Sequence, residues 1–210
     1  MRLVSYEEYL RYAENNREIF IEDQVIRLDP IEITRLSPDP EELTDVSTTI
    51  WSFPKRGSWA THKGDYRGNW APQIPRALIE MFTEPGEVVL DQMIGSGTTC
   101  VEARLLGRNC IGVDISYEAA ILTLHRLYYL EKYARERISG SVNEEEKRIL
   151  RNILSTWSRI YHGDARDLRE IKDYSIDLVA THPPYLNIIR YSDNKVFEGD
   201  LSKTSSLENY

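Results

Sequence analysis

Residues 87–114 constrain this chain more than any other stretch. Val88-Val89-Leu90-Asp91 is a short apolar run that ends in an acid, and Gly95-Ser96-Gly97-Thr98-Thr99 is a tight loop. Residues 100–106 read as a helix with a small, apolar inner face, stopped by Gly107. Asn109-Cys110-Ile111-Gly112-Val113-Asp114 is a second apolar run, again ending in an acid. Unalternated apolar runs belong to strands covered on both faces, and a strand–loop–helix–strand unit of this kind makes the two strands parallel. The expected fold class is α/β: a doubly wound, mainly parallel, Rossmann-like sheet.

The rest of the chain fits around that unit. A long helix is expected over residues 117–137, a break at Gly140-Ser141, and a charged helix over 143–157. Third and fourth strands follow at 159–164 and 176–181. Upstream, residues 1–30 look helical and charged, and 29–45 carry Pro30, Pro38 and Pro40. The expected division is therefore a helical extension and linker over 1–45 and the main domain over 46–210. Residues 48–53, β-branched and aromatic before Pro54, read as a further strand, and residues 74–81 as a helix with Pro75 in its first turn.

Composition narrows the function classes. With 41% hydrophobic residues the chain is globular. No apolar run approaches the length of a membrane span, and the opening residues (Arg2, Glu7, Glu8, Arg11) lack the apolar core of a signal peptide, so a cytoplasmic protein is expected. Cys100 and Cys110 read as small buried hydrophobes, and the scattered histidines give no metal-ligand spacing. The formal charge of −8 argues against a large phosphate-binding surface. Between Trp51 and Arg76, however, five Lys/Arg face one acid, Asp65. That stretch either touches phosphates or is a solvated loop.

Ligands of open parallel sheets sit outside the carboxyl ends of the strands. Here those ends carry Asp91, Asp114, Asp164 and residues 181–185. Gly95 and Gly97 let the backbone approach a ligand closely. No Gly-Lys-Ser/Thr follows, so this is not a Walker loop, and Cys100 stands where a dinucleotide fingerprint has its third glycine. Asp114 lies where an acid would clamp ribose hydroxyls, so the pair suits a nucleoside-containing cofactor. In His182-Pro183-Pro184-Tyr185 two prolines fix the backbone and remove two N–H donors, leaving carbonyls to face a ligand. An acceptor-rich turn beside a flat aromatic suits a planar ring bearing an amino group.

These residues resemble the S-adenosylmethionine-dependent DNA amino-methyltransferases of the cytosine-N4 and adenine-N6 type. Residues 91–99 resemble their Asp-Pro-Phe-x-Gly-Ser-Gly-Thr-Thr cofactor motif, residues 70–75 the segment that closes over the methionine end, and Thr181-His-Pro-Pro-Tyr185 their catalytic Ser/Asp/Asn-Pro-Pro-Tyr. The resemblance implies a methyltransferase sheet that binds S-adenosyl-L-methionine. Trp70, Pro72, Asp91, Gly95, Ser96, Gly97, Thr98 and Thr99 would hold its methionine part. Met93 would pack on adenine, Asp114 beside Ile115 would take the ribose hydroxyls, and Asp164 beside Ala165 the adenine amino group. His182 and the Pro183 carbonyl, with Pro184, would hydrogen-bond the target amine, and Tyr185 would stack on a flipped base. Gln92 and Met93 stand in place of Pro-Phe, and His182 in place of Ser, Asp or Asn, which leaves cytosine and adenine both open.

The implied partner is DNA, with RNA as the nearest alternative, in a site-specific, restriction-modification type of activity. No metal is expected. After Tyr185 only 25 residues remain in the sequence given, fewer than the later strands and a target-recognition domain require. The expectation is a sheet incomplete at its C-terminal side, completed by a second polypeptide, an extension or another copy. A cofactor-binding subunit without turnover is the alternative from a different class.

Overall fold

The computed structural model describes residues 1–21, 24–43, 46–140 and 143–184. In chain order the elements are β1 (Arg2–Val4), α1 (Tyr6–Asn15), β2 (Glu18–Ile21), β3 (Gln24–Arg27), α2 (Gln73–Phe82) and β4 (Val88–Asp91). They continue with α3 (Thr98–Leu105), β5 (Asn109–Asp114), α4 (Tyr117–Arg137), α5 (Glu144–Ser155), β6 (Ser158–His162) and β7 (Leu178–Val179).

The main sheet has the order β1-β6-β5-β4-β7. The β5–β6, β4–β5 and β4–β7 pairs are parallel, and only β1 runs antiparallel, against β6. The register sets Asp91 opposite Gly112 and Asp114 opposite His162, so the strand-end acids come out on one edge. The apolar runs explain the burial: Val89, Cys110 and Val113 are fully enclosed. The chain is the expected α/β, mainly parallel, Rossmann-like sheet.

α4 is the main packing element. Ser116 caps it by accepting from the Ala119 amide, and Arg135 and Arg137 stand in its last turn, where they meet the negative end of the helix dipole. Ile121, Leu122, Leu127 and Leu130 are fully buried, each contributing about 1.5–3 kcal/mol of transfer free energy. No helix among the described residues is long and apolar enough to cross a membrane.

Four expectations change. Residues 48–53 form no strand; they turn on themselves through Trp51 Nε1 to the Thr48 carbonyl (2.7 Å), with Ile50 83% exposed and no strand among the described residues paired with them. Of the described residues in 1–30, only those of α1 are helical. β2 and β3 pair antiparallel, β1 joins the main sheet, and Val4 and Tyr9 enter its core. The fourth strand shortens to Leu178–Val179. Cys100 and Cys110 are buried as expected but joined as a disulfide, because the α3 and β5 backbones approach to a Cα–Cα distance of 5.3 Å, within bridging range.

Candidate functional site

The first wall of the candidate site is the edge formed by the ends of β4 and β5. Asp91 is buried; its carboxylate accepts from the Thr99 hydroxyl (2.5 Å) and the Met93 amide (3.1 Å). Burial pushes this carboxyl up to about 6, against the opposing pull of those donors. Asp114 accepts from the Gly95 amide (2.8 Å) with one oxygen and from the Ser116 amide (2.9 Å) with the other. The second strand-end acid therefore shapes the loop of the first. Gly97 caps α3 at φ 86°, and a Cβ there would lie 2.9 Å from Thr123 Cγ2 on α4, so only glycine fits both the torsion and the space. Thr123 in turn donates to the Gly95 carbonyl (2.9 Å).

The facing wall is irregular. Tyr66 lies over Gly95, Asn69 donates to the Ser96 hydroxyl (3.1 Å), and Trp70 stacks on His182 with ring centroids 5.5 Å apart and planes 7° from parallel. Burial holds His182 below the usual histidine range, partly countered by a hydrogen bond to the Gly68 carbonyl. That bond makes one ring nitrogen a donor, and a neutral imidazole then carries its lone pair on the other.

The cleft between the walls brings together Trp70, Asp91, Met93, Gly95, Ser96, Thr98, Asp114, Ile115, Asp164, Ala165, His182 and Pro184. The Thr98 hydroxyl at the start of α3 is buried in it with no partner. An orphaned polar atom beside a glycine cradle fits a ligand with polar groups, as the donor's amino-acid end has. Pro72, Gly97, Thr99 and Pro183 are not among the lining residues: Pro72 caps α2, and Thr99 holds the loop through Asp91. Tyr185 lies outside the described residues. Asp164 sits two residues beyond β6, and Arg166 forks onto its carboxylate (2.6 Å), lowering its pKa.

Sequence reasoning missed Tyr66, Gly68, Asn69, Ser116 and Arg166, which also line the cleft. Tyr66 to Asn69 could have been found by their closeness in sequence to Trp70; Arg166 carried no signal. Of the basic stretch, Arg76 pairs with buried Glu102 (3.1 Å) and Arg56 is partly buried, whereas Lys55, Lys63 and Arg67 stay exposed.

Comparison with known proteins gives two overlapping family matches. A profile described as DNA methylase covers residues 4–123, and one described as RMKL-like, methyltransferase domain covers residues 65–196. The chain is 30% identical to the DNA adenine methyltransferase YhdJ of Escherichia coli over 113 residues, 52% of this chain and 37% of that protein. It is 36% identical to the type II methyltransferase M.ScaI of Streptomyces caespitosus over 84 residues, 38% of this chain and 28% of that protein. It is also 28% identical to a tRNA (guanine(10)-N2)-dimethyltransferase of Methanocaldococcus jannaschii over 123 residues, 56% of this chain and 29% of that protein. The chain thus spans less than two fifths of the length of each of these relatives.

Proposed function

The chain belongs to the DNA methylase family, and from that premise we propose that it methylates an exocyclic amino group of a flipped DNA base, cytosine N4 or adenine N6, using S-adenosyl-L-methionine. The observation that carries this reading is the meeting of the Asp114-organised glycine loop with the His182–Pro184 turn in one cleft. Bound there, the cofactor would supply an electrophilic sulfonium methyl group.

The chain's own residues then have distinct tasks. Ionised Asp91 and the α3 N-terminus with Thr98 would hold the amino-acid end, and Asp114 the ribose. An aromatic amine is a poor nucleophile because its lone pair is delocalised into the ring. His182, held neutral, and the carbonyls of the Pro183-Pro184 turn accept its hydrogens, favouring the pyramidal nitrogen and the positive charge that develops on it. A protonated His182 would repel that charge, and its burial against Trp70 works against protonation. Tyr185 would stack on the extruded base. Aligning nitrogen with methyl supplies the rest by proximity.

The test is methyl transfer from labelled donor to DNA and, separately, to tRNA, followed by digestion and mass spectrometry of the product. N4-methylcytosine or N6-methyladenine in DNA is the expected result. Label only in tRNA guanine or adenine would favour the second reading, for which the similarity to the tRNA (guanine(10)-N2)-dimethyltransferase speaks. Donor binding with no label on either polymer would overturn both in favour of a non-catalytic cofactor-binding subunit.

A further inference from the structure

Behind the irregular wall, away from the cleft lining, lies a second concentration of charge. Arg126, on α4 one turn beyond Thr123, is 1% exposed. One of its terminal nitrogens is paired with Asp65, but its Nε and Nη1 are buried without a partner. Arg56 runs past Gly64, whose missing Cβ would sit 3.9 Å from its Cδ. Its Nη1 donates to the Gly57 carbonyl (3.0 Å), and its Nε and Nη2 are likewise buried and unpartnered. Asp65 contacts Arg126 and acts on Arg56 only from a distance, while the Arg56 charge opposes that of Arg126. The other nearby acid is committed: Glu102 accepts from Trp59 (2.7 Å), His62 (2.6 Å) and Arg76 (3.1 Å). Among the described residues, only Arg126 of the two cations has an acid in contact.

Leaving a buried charged donor unsatisfied costs more than almost any other local defect, and four guanidinium nitrogens here are in that condition. Guanidinium forks match planar or tetrahedral oxyanions, which offer several acceptors at once. We propose that Arg56 and Arg126 form a buried site for a compact oxyanion, a carboxylate or phosphate group, seated between residues 56–65 and α4. The sealing of Arg126 favours a small anion, or the anionic end of a small ligand, over the backbone of a nucleic-acid duplex. The melting test of this site needs neither methyl donor nor nucleic acid, so its outcome is independent of the methyl-transfer reading.

The measurement is the melting temperature of the full chain as phosphate or sulfate replaces chloride at fixed ionic strength, for the parent and for Arg56→Met. The parent should gain a rise that grows with the logarithm of anion concentration, about 3–6 °C at ten times the dissociation constant. Arg56→Met should lose it, keeping only the linear rise that excluded salts give any protein. Identical curves in the two proteins would overturn the site. If Arg56→Met does not fold, anomalous diffraction from parent crystals soaked in selenate decides instead. A peak between the two guanidinium groups supports the proposal, and ordered waters alone there refute it. The source of the anion is then read by titrating S-adenosylhomocysteine with and without phosphate. Competition identifies the amino-acid carboxylate as the occupant; independent binding identifies a separate inorganic anion.

Discussion

The two walls of the cleft reach order by different routes. At the ends of β4 and β5 both strand-end acids are held by neighbours in the same unit: Asp91 by Thr99 and Met93, Asp114 by Gly95 and Ser116. Residues 55–70 have no regular secondary structure, yet Trp59, Thr61 and His62 are among the most buried side chains. Their anchor is Glu102 on α3, 43 positions from Trp59 and 40 from His62. One wall is shaped by its own backbone; the other is tied down by side chains distant in sequence, Glu102, Gln73 and Arg126 among them, and leaves guanidinium nitrogens unsatisfied. The backbone-shaped wall should hold its form alone, and the anchored one should respond to mutation and ligand.

The largest test of that difference is Glu102→Gln. It removes the buried charge facing Arg76, leaving that guanidinium the more exposed Glu80 (3.2 Å), at a cost of about 1.5–3 kcal/mol in a denaturant melt. Hydrogen exchange should then show residues 56–70 losing protection while 88–99 retain it. Equal loss in both would make the walls one unit and break the comparison. Next, Asp114→Ala deletes two charge-assisted hydrogen bonds and should weaken cofactor binding about 100-fold by calorimetry, at roughly 1.5 kcal/mol per bond. Gly97→Ala should cost about 2 kcal/mol from its positive φ and the Thr123 contact, and Thr123→Ser in the same chain should recover the part due to the clash.

A pH series sharpens the contrast further. Asp91 titrates at about 6 in the folded protein, so its negative charge, and with it cofactor affinity, should fall about tenfold per unit below that pH. Folding stability behaves differently. His125, bonded to Tyr9 and the Asp29 carbonyl, is pushed by burial down to about 4. Between pH 6.5 and 4 the unfolded chain binds a proton that folded His125 refuses, so this group's contribution to stability falls as pH falls. Asp91 acts in the opposite sense: its raised pKa lets the folded state take up a proton first, from about pH 6 down to its ordinary value. The melting temperature should therefore change less across this window than cofactor affinity does. The smallest effect belongs to Arg166→Ala, which frees the partly exposed Asp164 and should shift cofactor affinity by less than threefold.

What was legible in the sequence follows the same division. β4, α3, β5 and α4 could be placed to within a residue or two because their periodicity and glycine punctuation are local. The strand-end acids and the glycine loop could be picked out for the same reason. The packing of residues 55–70 could not, since it comes from contacts some 40 positions away. β1 is three residues long and carries no period of its own. The Cys100–Cys110 bond depends on how α3 lies against β5, a property of packing rather than of spacing.

The central claim is that this cleft holds a methyl donor against an amine-accepting turn. A crystal structure with S-adenosylhomocysteine tests it directly. The account predicts the ribose hydroxyls on Asp114, the amino-acid end beside Asp91 and Thr98, and the sulfur facing His182–Pro184. Ligand bound elsewhere, or a 182–184 turn facing away from the sulfur, would contradict it.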